Sequence, residues 1–201
     1  MKLYFAPDTR AVRIAWLLEE LGLDYDLERF TLGDPAMRGP EYRRLHPLGR
    51  VPVLADGDVI IHESGAIVEY VLARHGQDRL RPETGSAEFP NYLQWLHFCE
   101  GMLMPPINTI VVETVLLPPD RRNEVNVKRA VKLLNQMLAA VDRHMEGREY
   151  LAGAFSGADI MTGHAVITSA QLGGDFTDKP NLQPYVDRLL ARPPLQKARA
   201  L

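Results

Sequence analysis

The stretch from Arg44 to Ser64, RLHPLGRVPVLADGDVIIHES, constrains the fold of this chain more than any other part of the sequence. Proline cannot donate to a strand ladder, so Val51-Pro52 predicts the first residue or the edge of a strand. A cis bond there turns the N–H and C=O of Val51 outward, free to pair with another backbone. Asp56-Gly57 then predicts a tight turn between two short β-branched strands, Val53 to Ala55 and Val59 to Ile61.

Glu63 and Ser64 follow the second of these strands, where the next helix is predicted to begin. A helix N-terminus offers unpaired N–H groups and the positive end of the helix dipole. A ligand carboxylate can therefore bind at Ser64 while Glu63 faces a ligand ammonium. Together with the strand edge, these residues predict a site for a short zwitterionic peptide.

These motifs resemble the thioredoxin-like half of the cytosolic, bacterial-type glutathione S-transferases. In that family a valine-proline strand edge pairs with the cysteinyl backbone of glutathione, and a Glu/Gln-Ser pair holds the γ-glutamyl end. The resemblance covers the whole chain, from residues 2–5 through residues 64–70 to the segment 156–160, SGADI, which is similar to the capping motif of the family. It implies an α/β plus all-α fold, in which a thioredoxin-like N-terminal domain is followed by an all-helical bundle domain.

The polar run after the predicted helix at residues 64–75 contains Pro82, Gly85 and Ser86 and is the best candidate for a linker. We therefore predict a thioredoxin-like glutathione-binding domain over residues 1–77, a linker over residues 78–87 and an all-helical domain over residues 88–201, which would form the second-substrate pocket. In the first domain the patterns predict strands at 2–5 and 26–31, helices at 11–21 and 64–75, and a loop with one short helix at 33–45.

In the second half, apolar residues at positions 127, 131, 134, 138, 141 and 145 predict one helix with a face in the bundle core. Pro105-Pro106 predict a kink or break near Met104, because proline removes a helical hydrogen bond and clashes with the preceding turn. Ser156 and Asp159 have the spacing of a capping box, which assigns Asp159 to folding rather than to catalysis.

Composition excludes several classes of function. The chain has 23 basic and 26 acidic residues, a net charge of -3, and no sustained basic run, which argues against nucleic acid or an anionic membrane as a partner. An apolar signal segment and a membrane-length apolar stretch are both lacking in the sequence, so we expect a cytoplasmic protein. Six scattered histidines and the single Cys99, which is expected to be buried, predict no metal site.

The nucleophile of such a site is a thiolate, so a nearby donor must stabilise sulfur as the anion. The loop Ala6 to Arg10 lies between the first strand and the first helix, where the helix dipole also favours negative charge. Ala6 departs from the commonest bacterial pattern of the family. Thr9 is the first candidate donor, with capping of the first helix as the alternative, and Tyr4 is the second candidate.

Further site residues follow from the resemblance. Arg50 complements the glycyl carboxylate of glutathione, although an exposed loop arginine has the same pattern. His46 is a second candidate for the glycyl end, or a loop residue that only hydrogen-bonds to the backbone. His97 and Glu100 are candidates for the glutathione site of a partner subunit. Met102 and Met104 are candidates for lining the second-substrate pocket, with ordinary core packing as the alternative.

The resemblance implies a homodimeric transferase with glutathione as co-substrate, which stabilises the glutathione thiolate and transfers it to a small hydrophobic electrophile. Reduction of disulfides or peroxides is open to the same thiolate. The alternative is a non-catalytic binding or regulatory protein with the same fold, in which the loop at Ala6 has lost its activating donor.

Overall fold

A mixed sheet of four strands lies in the first part of the chain in the computed structural model, which describes residues 1 to 201. Strand β1 runs parallel to β2 and antiparallel to β3, and β4 pairs antiparallel with β3, so the order across the sheet is β2-β1-β3-β4. The strands are β1 Lys2–Phe5, β2 Asp26–Arg29, β3 Val53–Asp56 and β4 Val59–His62. The predicted strand at 26–31 therefore ends two residues early.

The predicted hairpin is present with a turn shifted by one residue. Asp56 is the last residue of β3, and the turn is made by Gly57 and Asp58. Gly57 has φ +59°, a left-handed conformation that glycine adopts at little cost. The register pairs Val53 with His62, which fixes what lies at the open end of the hairpin.

Two α-helices accompany the sheet at the positions that the sequence predicts, α1 Ala11–Leu21 and α3 Ser64–His75. Helix α1 is buried almost all round, and it ends at Gly22 in the left-handed conformation. The region predicted as a loop with one short helix holds two, a 3₁₀ turn at Pro35–Arg38 and helix α2 at Pro40–Leu45. Each begins with proline, which is well suited to the first helical turn. Because proline is also common in loops, the sequence does not show where these helices begin.

By density of contacts the chain forms two units, Met1–Leu80 with Leu190–Leu201, and Arg81–Leu189. The last residues belong to the first unit because helix α9, Pro193–Arg199, packs on α1. The guanidinium of Arg192 donates two hydrogen bonds, of 2.6 and 2.7 Å, to the carboxylate of Glu20. The functions that the sequence assigns to residues 1–77 and 88–201 stay predictions.

The regular elements of the second unit are all helical. Its α-helices are α4 Phe89–Phe98, α5 Met104–Val111, α6 Glu124–Met145, α7 His164–Ala170 and α8 Leu182–Leu190, the last residue of which is grouped with the first unit. π-Helical turns adjoin three of them, at Cys99–Leu103, Val112–Leu116 and Asp159–Gly163. The irregularity expected near Met104 is thus a π turn that leads into α5, with the two prolines in the first turn of that helix.

Asp159 is fully buried in this unit and accepts four hydrogen bonds. The donors are the N–H of Leu151, the N–H and the hydroxyl of Ser156, and the hydroxyl of Tyr185, at 2.9 to 3.1 Å. The Ser156 hydroxyl in turn accepts from the N–H of Ala158 at 3.3 Å. The capping box predicted from the sequence is therefore confirmed.

Cys99 is also fully buried, as expected, and its thiol donates to the carbonyl of Met161 at 3.1 Å. None of the helices combines the length and the apolar composition that crossing a bilayer requires.

Candidate functional site

The loop that leads into β3 is held by hydrogen bonds to its own backbone. The hydroxyl of Tyr42 donates to the carbonyl of Arg50 at 2.7 Å, and the N–H of Gly49 donates to the carbonyl of His46 at 2.8 Å. Gly49 has φ +63°, and a Cβ at this position would collide with the carbonyl of Met37. The loop therefore has one conformation that requires glycine, and it presents residues 50–52 in a fixed place.

Val51-Pro52 has the cis peptide bond that the sequence predicts. Val51 precedes β3, is half-buried, and has no hydrogen-bond partner for its N–H or its C=O. Pro52 is buried beside it. The backbone groups of Val51 are therefore available to an extended ligand backbone.

The strand register brings this edge to the start of α3. Val53 pairs with His62 at the open end of the antiparallel hairpin, so the residues just before β3 and those just after β4 adjoin the same end of the ladder. Two segments that are more than ten residues apart in sequence thus meet at the open end of one hairpin.

Ser64 is the first residue of α3 and is only 3% exposed. Its hydroxyl accepts a hydrogen bond of 3.2 Å from Nη1 of Arg13, which lies in α1 and is fully buried. A buried guanidinium is costly unless its donors are bound, so this contact fixes the hydroxyl as well as the arginine. The side chain of the residue before α3, Glu63, makes no capping hydrogen bond, and the first N–H groups of α3 have no side-chain cap.

Glu63 combines an exposed carboxylate with an unusual backbone. Its φ is +74° and its ψ is 113°, a conformation that is costly for a residue with a Cβ. The side chain is 71% exposed, and its Oε1 lies 4.0 Å from Nδ1 of His62. Asp8, in the β1–α1 loop, has a similar φ of +56°.

His46 is buried, and its Nδ1 accepts the N–H of Leu48 at 3.2 Å. Its ring stacks on that of His62, with centroids 4.4 Å apart and an angle of 29° between the planes. Burial and the nearby His62 lower the pKa of His46. With Nδ1 accepting, the hydrogen of the neutral ring is on Nε2.

Potential ligand atoms of His46, His62 and Glu63 lie within 4.8 Å of one another. A metal needs a ring nitrogen with a free lone pair, and the lone pair of neutral His46 is used by the N–H of Leu48. Stacked rings also do not direct their nitrogens to a common point. The three residues do not fit a metal centre.

Thr9 lies where the sequence predicts, between β1 and α1. Its hydroxyl donates to the carbonyl of Ala6 at 2.7 Å and accepts the N–H of Ala11 at 3.1 Å. The residue therefore stabilises the start of α1, the alternative that the sequence left open, and its hydroxyl hydrogen is engaged.

Tyr4 lies in the core of the first unit. It is 9% exposed and packs in a cluster with Ala6, Met37, Tyr42 and other residues. Its ring meets that of Tyr42 edge to face at 5.8 Å, and the ammonium of Lys2 lies 5.1 Å from its centroid. These contacts give Tyr4 a clear packing role.

The four candidates in the helical unit lie on one continuous stretch that spans α4, the π turn and α5. Met104 is buried and Met102 is 44% exposed. Glu100 is half-buried and His97 is exposed. Met104 thus follows the alternative of core packing, whereas the other three present polar or apolar groups at the surface of this unit.

Two residues that the sequence did not single out contact the predicted ones, Arg13 at Ser64 and His62 at His46. Arg13 looks like a surface residue of an amphipathic helix, and only the burial of all faces of α1 reveals its role. His62 ends β4 and directly precedes Glu63. Its stacking partner is 16 residues earlier, so no local pattern predicts the pair.

Comparison with known proteins agrees with this geometry. Residues 1–73 match the family model for the glutathione S-transferase N-terminal domain, and residues 103–193 match the model for the C-terminal domain. Glutathione S-transferase 3 of Zea mays is 30% identical over 211 residues, which cover 98% of this chain and 92% of the maize protein.

Two solved structures are similar over the whole chain. A glutathione transferase from Pseudomonas putida with one glutathione disulfide bound per subunit has a TM-score of 0.88 and 26% identity, covering 100% of this chain and 90% of that one. A sphingomonad glutathione S-transferase complexed with glutathione has a TM-score of 0.84 and 26% identity, covering 100% and 98%. The fold class predicted from the sequence is thereby confirmed, and the chain belongs to the glutathione S-transferase family of enzymes.

Proposed function

We propose that the first unit binds glutathione as an extended tripeptide and transfers its thiolate to an electrophilic carbon of a hydrophobic substrate. The observation that supports this most strongly is the hairpin register, in which Val53 pairs with His62, so that the unpaired backbone of Val51 and the start of α3 adjoin the same open end of the hairpin. A tripeptide backbone pairs with Val51 through its cysteinyl residue, and its two ends then reach the groups on either side.

The γ-glutamyl end of the ligand binds at the start of α3. Its carboxylate accepts hydrogen bonds from the Ser64 hydroxyl and from the first N–H groups of the helix, and the positive end of the helix dipole adds to the attraction. The ammonium pairs with the exposed carboxylate of Glu63. The positive φ of Glu63 turns the chain between the strand and the helix, at the point where both contacts are made.

The glycyl carboxylate pairs with the guanidinium of Arg50. The carbonyl of Arg50 is anchored by the Tyr42 hydroxyl, so the side chain extends from a fixed backbone although it is exposed. The pair is a charge-assisted contact at the protein surface, which contributes about 1 kcal/mol or less to binding.

The cysteinyl sulfur lies at the β1–α1 loop, with Thr9 as the donor that stabilises its ionised form. A thiolate competes with the Ala6 carbonyl for the hydroxyl hydrogen, and a bond to an anion is roughly twice as strong as one to a neutral acceptor. Rotation about the Cβ–Oγ bond redirects the hydrogen while the oxygen still accepts from Ala11. Tyr4 is the second candidate donor.

The thiolate then attacks the electrophilic carbon, a carbon–sulfur bond forms, and the leaving group departs with its electron pair. The helical domain contributes Met102 and Met104 to the pocket for this substrate. His97 and Glu100 complete the glutathione site of a partner subunit in a homodimer.

The proposal is tested by calorimetry with glutathione and by conjugation of chlorodinitrobenzene. We expect Thr9→Ala to bind glutathione but to lower kcat about ten- to a hundredfold, the value of one hydrogen bond to an anion. Thr9→Ser retains the hydroxyl and serves as the control, with kcat near that of the wild type.

Other outcomes have direct meanings. If Thr9→Ala leaves kcat unchanged and Tyr4→Phe abolishes it, Tyr4 is the donor. Binding of glutathione without turnover in the wild type would favour the non-catalytic alternative. Failure of the wild type to bind glutathione at millimolar concentration would refute the proposal.

A further inference from the structure

His46 organises the loop that carries the Val51 edge. Its ring accepts the N–H of Leu48, its carbonyl accepts the N–H of Gly49, and its own N–H donates to the carbonyl of Tyr42 at 3.0 Å. Three hydrogen bonds of one residue therefore set the path of the chain between α2 and β3. The ring is buried, at 4% exposure, so it acts from inside the loop.

The same ring contacts the other half of the candidate site. His62, on which it stacks, is the last residue of β4 and directly precedes Glu63 and Ser64. The stack is therefore a direct side-chain contact between the loop before Val51 and the end of β4, one residue before Glu63. The ring of His46 thus contacts the Leu48 N–H in the loop before Val51 and the ring of His62 just before Glu63, next to both groups that a bound tripeptide would touch.

We propose that the stacked pair His46 and His62 is a positioning element, which holds the Val51–Pro52 edge in register with Glu63 and Ser64 only while His46 is neutral. This inference rests on the proposed glutathione site, and it assigns His46 a role behind the site rather than contact with the ligand.

The requirement for a neutral ring follows from its contacts. A protonated imidazole has no lone pair, so it cannot accept the N–H of Leu48, and that amide loses its partner. The titratable and charged groups that act on His46 are His62 and Arg50, which disfavour a cation there, and Glu63, which favours it. Burial also disfavours the protonated ring and is the largest of these effects, which together lower the pKa of His46.

The sign of the resulting pH dependence distinguishes two roles of His46. As a positioning residue, His46 disrupts the site when it is protonated, so the affinity for glutathione falls on acidification. As a direct ligand of the glycyl carboxylate, it would bind more tightly as a cation, so the affinity would rise. The two roles predict opposite slopes below neutral pH.

The test uses S-methylglutathione, whose sulfur cannot ionise, in calorimetric titrations of the full chain at pH 7.5 and pH 5.0. Both carboxylates of this probe stay ionised and its amine stays protonated over that range. We expect Kd to rise about three- to thirtyfold on acidification, the upper limit being that of an imidazole with the ordinary pKa of 6.5.

Variants identify the titrating group. His46→Asn supplies a side-chain oxygen that accepts the same N–H but does not titrate. Because this variant takes up no proton at position 46, we expect its Kd to change less than about twofold between the two pH values. His75→Gln is the matched control, because His75 lies in the same unit and bonds to Asp56 instead. It should retain the full change of the wild type.

His62→Ala tests the stack itself, and we expect it to weaken binding about fivefold or more at pH 7.5, as the loss of one aromatic contact would. A measurement on the wild type avoids dependence on variant folding. By linkage, saturation with S-methylglutathione must shift the NMR titration of the His46 ring to lower pH.

Several results would overturn the inference. These are an affinity that is constant or rises towards pH 5.0, an unchanged pH ratio in His46→Asn, wild-type affinity in His62→Ala, or a His46 titration that moves upward with ligand. The proposed function fails separately, if the wild type does not bind the probe at pH 7.5 at all, and the positioning role then fails with it.

Discussion

Two helical segments of this chain begin at or beside a serine, and the two serines have different roles. Ser156 caps its own segment, since its hydroxyl accepts the N–H of Ala158 and donates to the buried Asp159. Ser64 opens α3 without any side-chain cap, and its hydroxyl is held instead by Arg13 from another helix. One start, the closed one, is capped by its own side chains, whereas the first N–H groups of the other, the open one, have no side-chain cap.

The difference separates a helix start that supports folding from one that we propose binds a ligand. A closed start satisfies donors that would otherwise be buried and unpaired, so its loss appears as a loss of folding free energy. An open start leaves donors to be satisfied by an anion, so its loss appears in an affinity. Substitutions at the two starts should therefore separate cleanly between the two measurements.

The largest expected effect is that of Asp159→Ala at the closed start. Removing the carboxylate leaves four donors without a partner, and we expect the free energy of unfolding to fall by at least about 3 kcal/mol in urea denaturation at pH 7. Asp175→Ala is the control, because this exposed residue of the same unit caps only the turn at Thr177. A loss below about 1 kcal/mol in Asp159→Ala would mean that the four bonds are dispensable.

A second prediction concerns the charge at the closed start. Burial raises the pKa of Asp159 to about 6, while its hydrogen bonds act in the other direction. The folded state thus binds this proton more tightly than the unfolded state, so the contribution of Asp159 to stability falls as the pH rises from about 4 to 6 and is constant above.

The comparison with Asp159→Asn isolates this contribution. We expect the stability of the wild type relative to the variant to increase by up to about 3 kcal/mol when the pH is lowered from 7 to 4, as a difference of two urea series. If the relative stability decreases instead, the hydrogen bonds to the carboxylate outweigh its burial.

The matched pair Ser64→Ala and Ser156→Ala tests the contrast directly. Ser64→Ala should raise the Kd of glutathione about tenfold or more, the value of one hydrogen bond to a carboxylate, as measured by calorimetry. Ser156→Ala should leave this Kd unchanged and lower the unfolding free energy by about 1–2 kcal/mol. An equal effect of both variants on Kd would remove the distinction between the two starts.

The smallest effect is expected for Glu63→Gly, which relieves the positive φ before α3. We expect the free energy of unfolding to rise by about 0.5–1 kcal/mol, because glycine adopts this region without a steric penalty. The Kd of glutathione should increase about fivefold through loss of the exposed ion pair. Glu63→Ala is the control, since it loses the carboxylate but retains the Cβ. A stability gain of the same size in Glu63→Ala would show that strain is not the cause.

Local signals in the sequence predict the elements well where each residue type has one physical role. Gly22 ends α1, Pro52 marks the strand edge, and Ser156 with Asp159 forms the cap, each through chemistry within a few positions. The pattern at 33–45 is less clear, because proline is equally at home in a loop and in the first turn of a helix.

The candidate site is less predictable because its essential contacts join residues that are far apart in the sequence. Arg13 reaches Ser64 over 51 positions, and His46 meets His62 only once the hairpin has formed. Sequence also does not tell that the hydroxyl of Thr9 is shared between Ala6 and Ala11, since capping and catalysis require the same residue at the same place.

The packing of α9 on α1 has a consequence for the order in which this protein is made. Glu20 leaves the ribosome early, whereas its partner Arg192 is translated more than 170 positions later. One side of α1 in the first unit therefore stays uncovered until the whole second unit has been synthesised. Folding of the first unit is thus tied to translation of the residues that form α9, and an N-terminal fragment such as 1–80 exposes apolar surface of α1 that α9 covers in the whole chain.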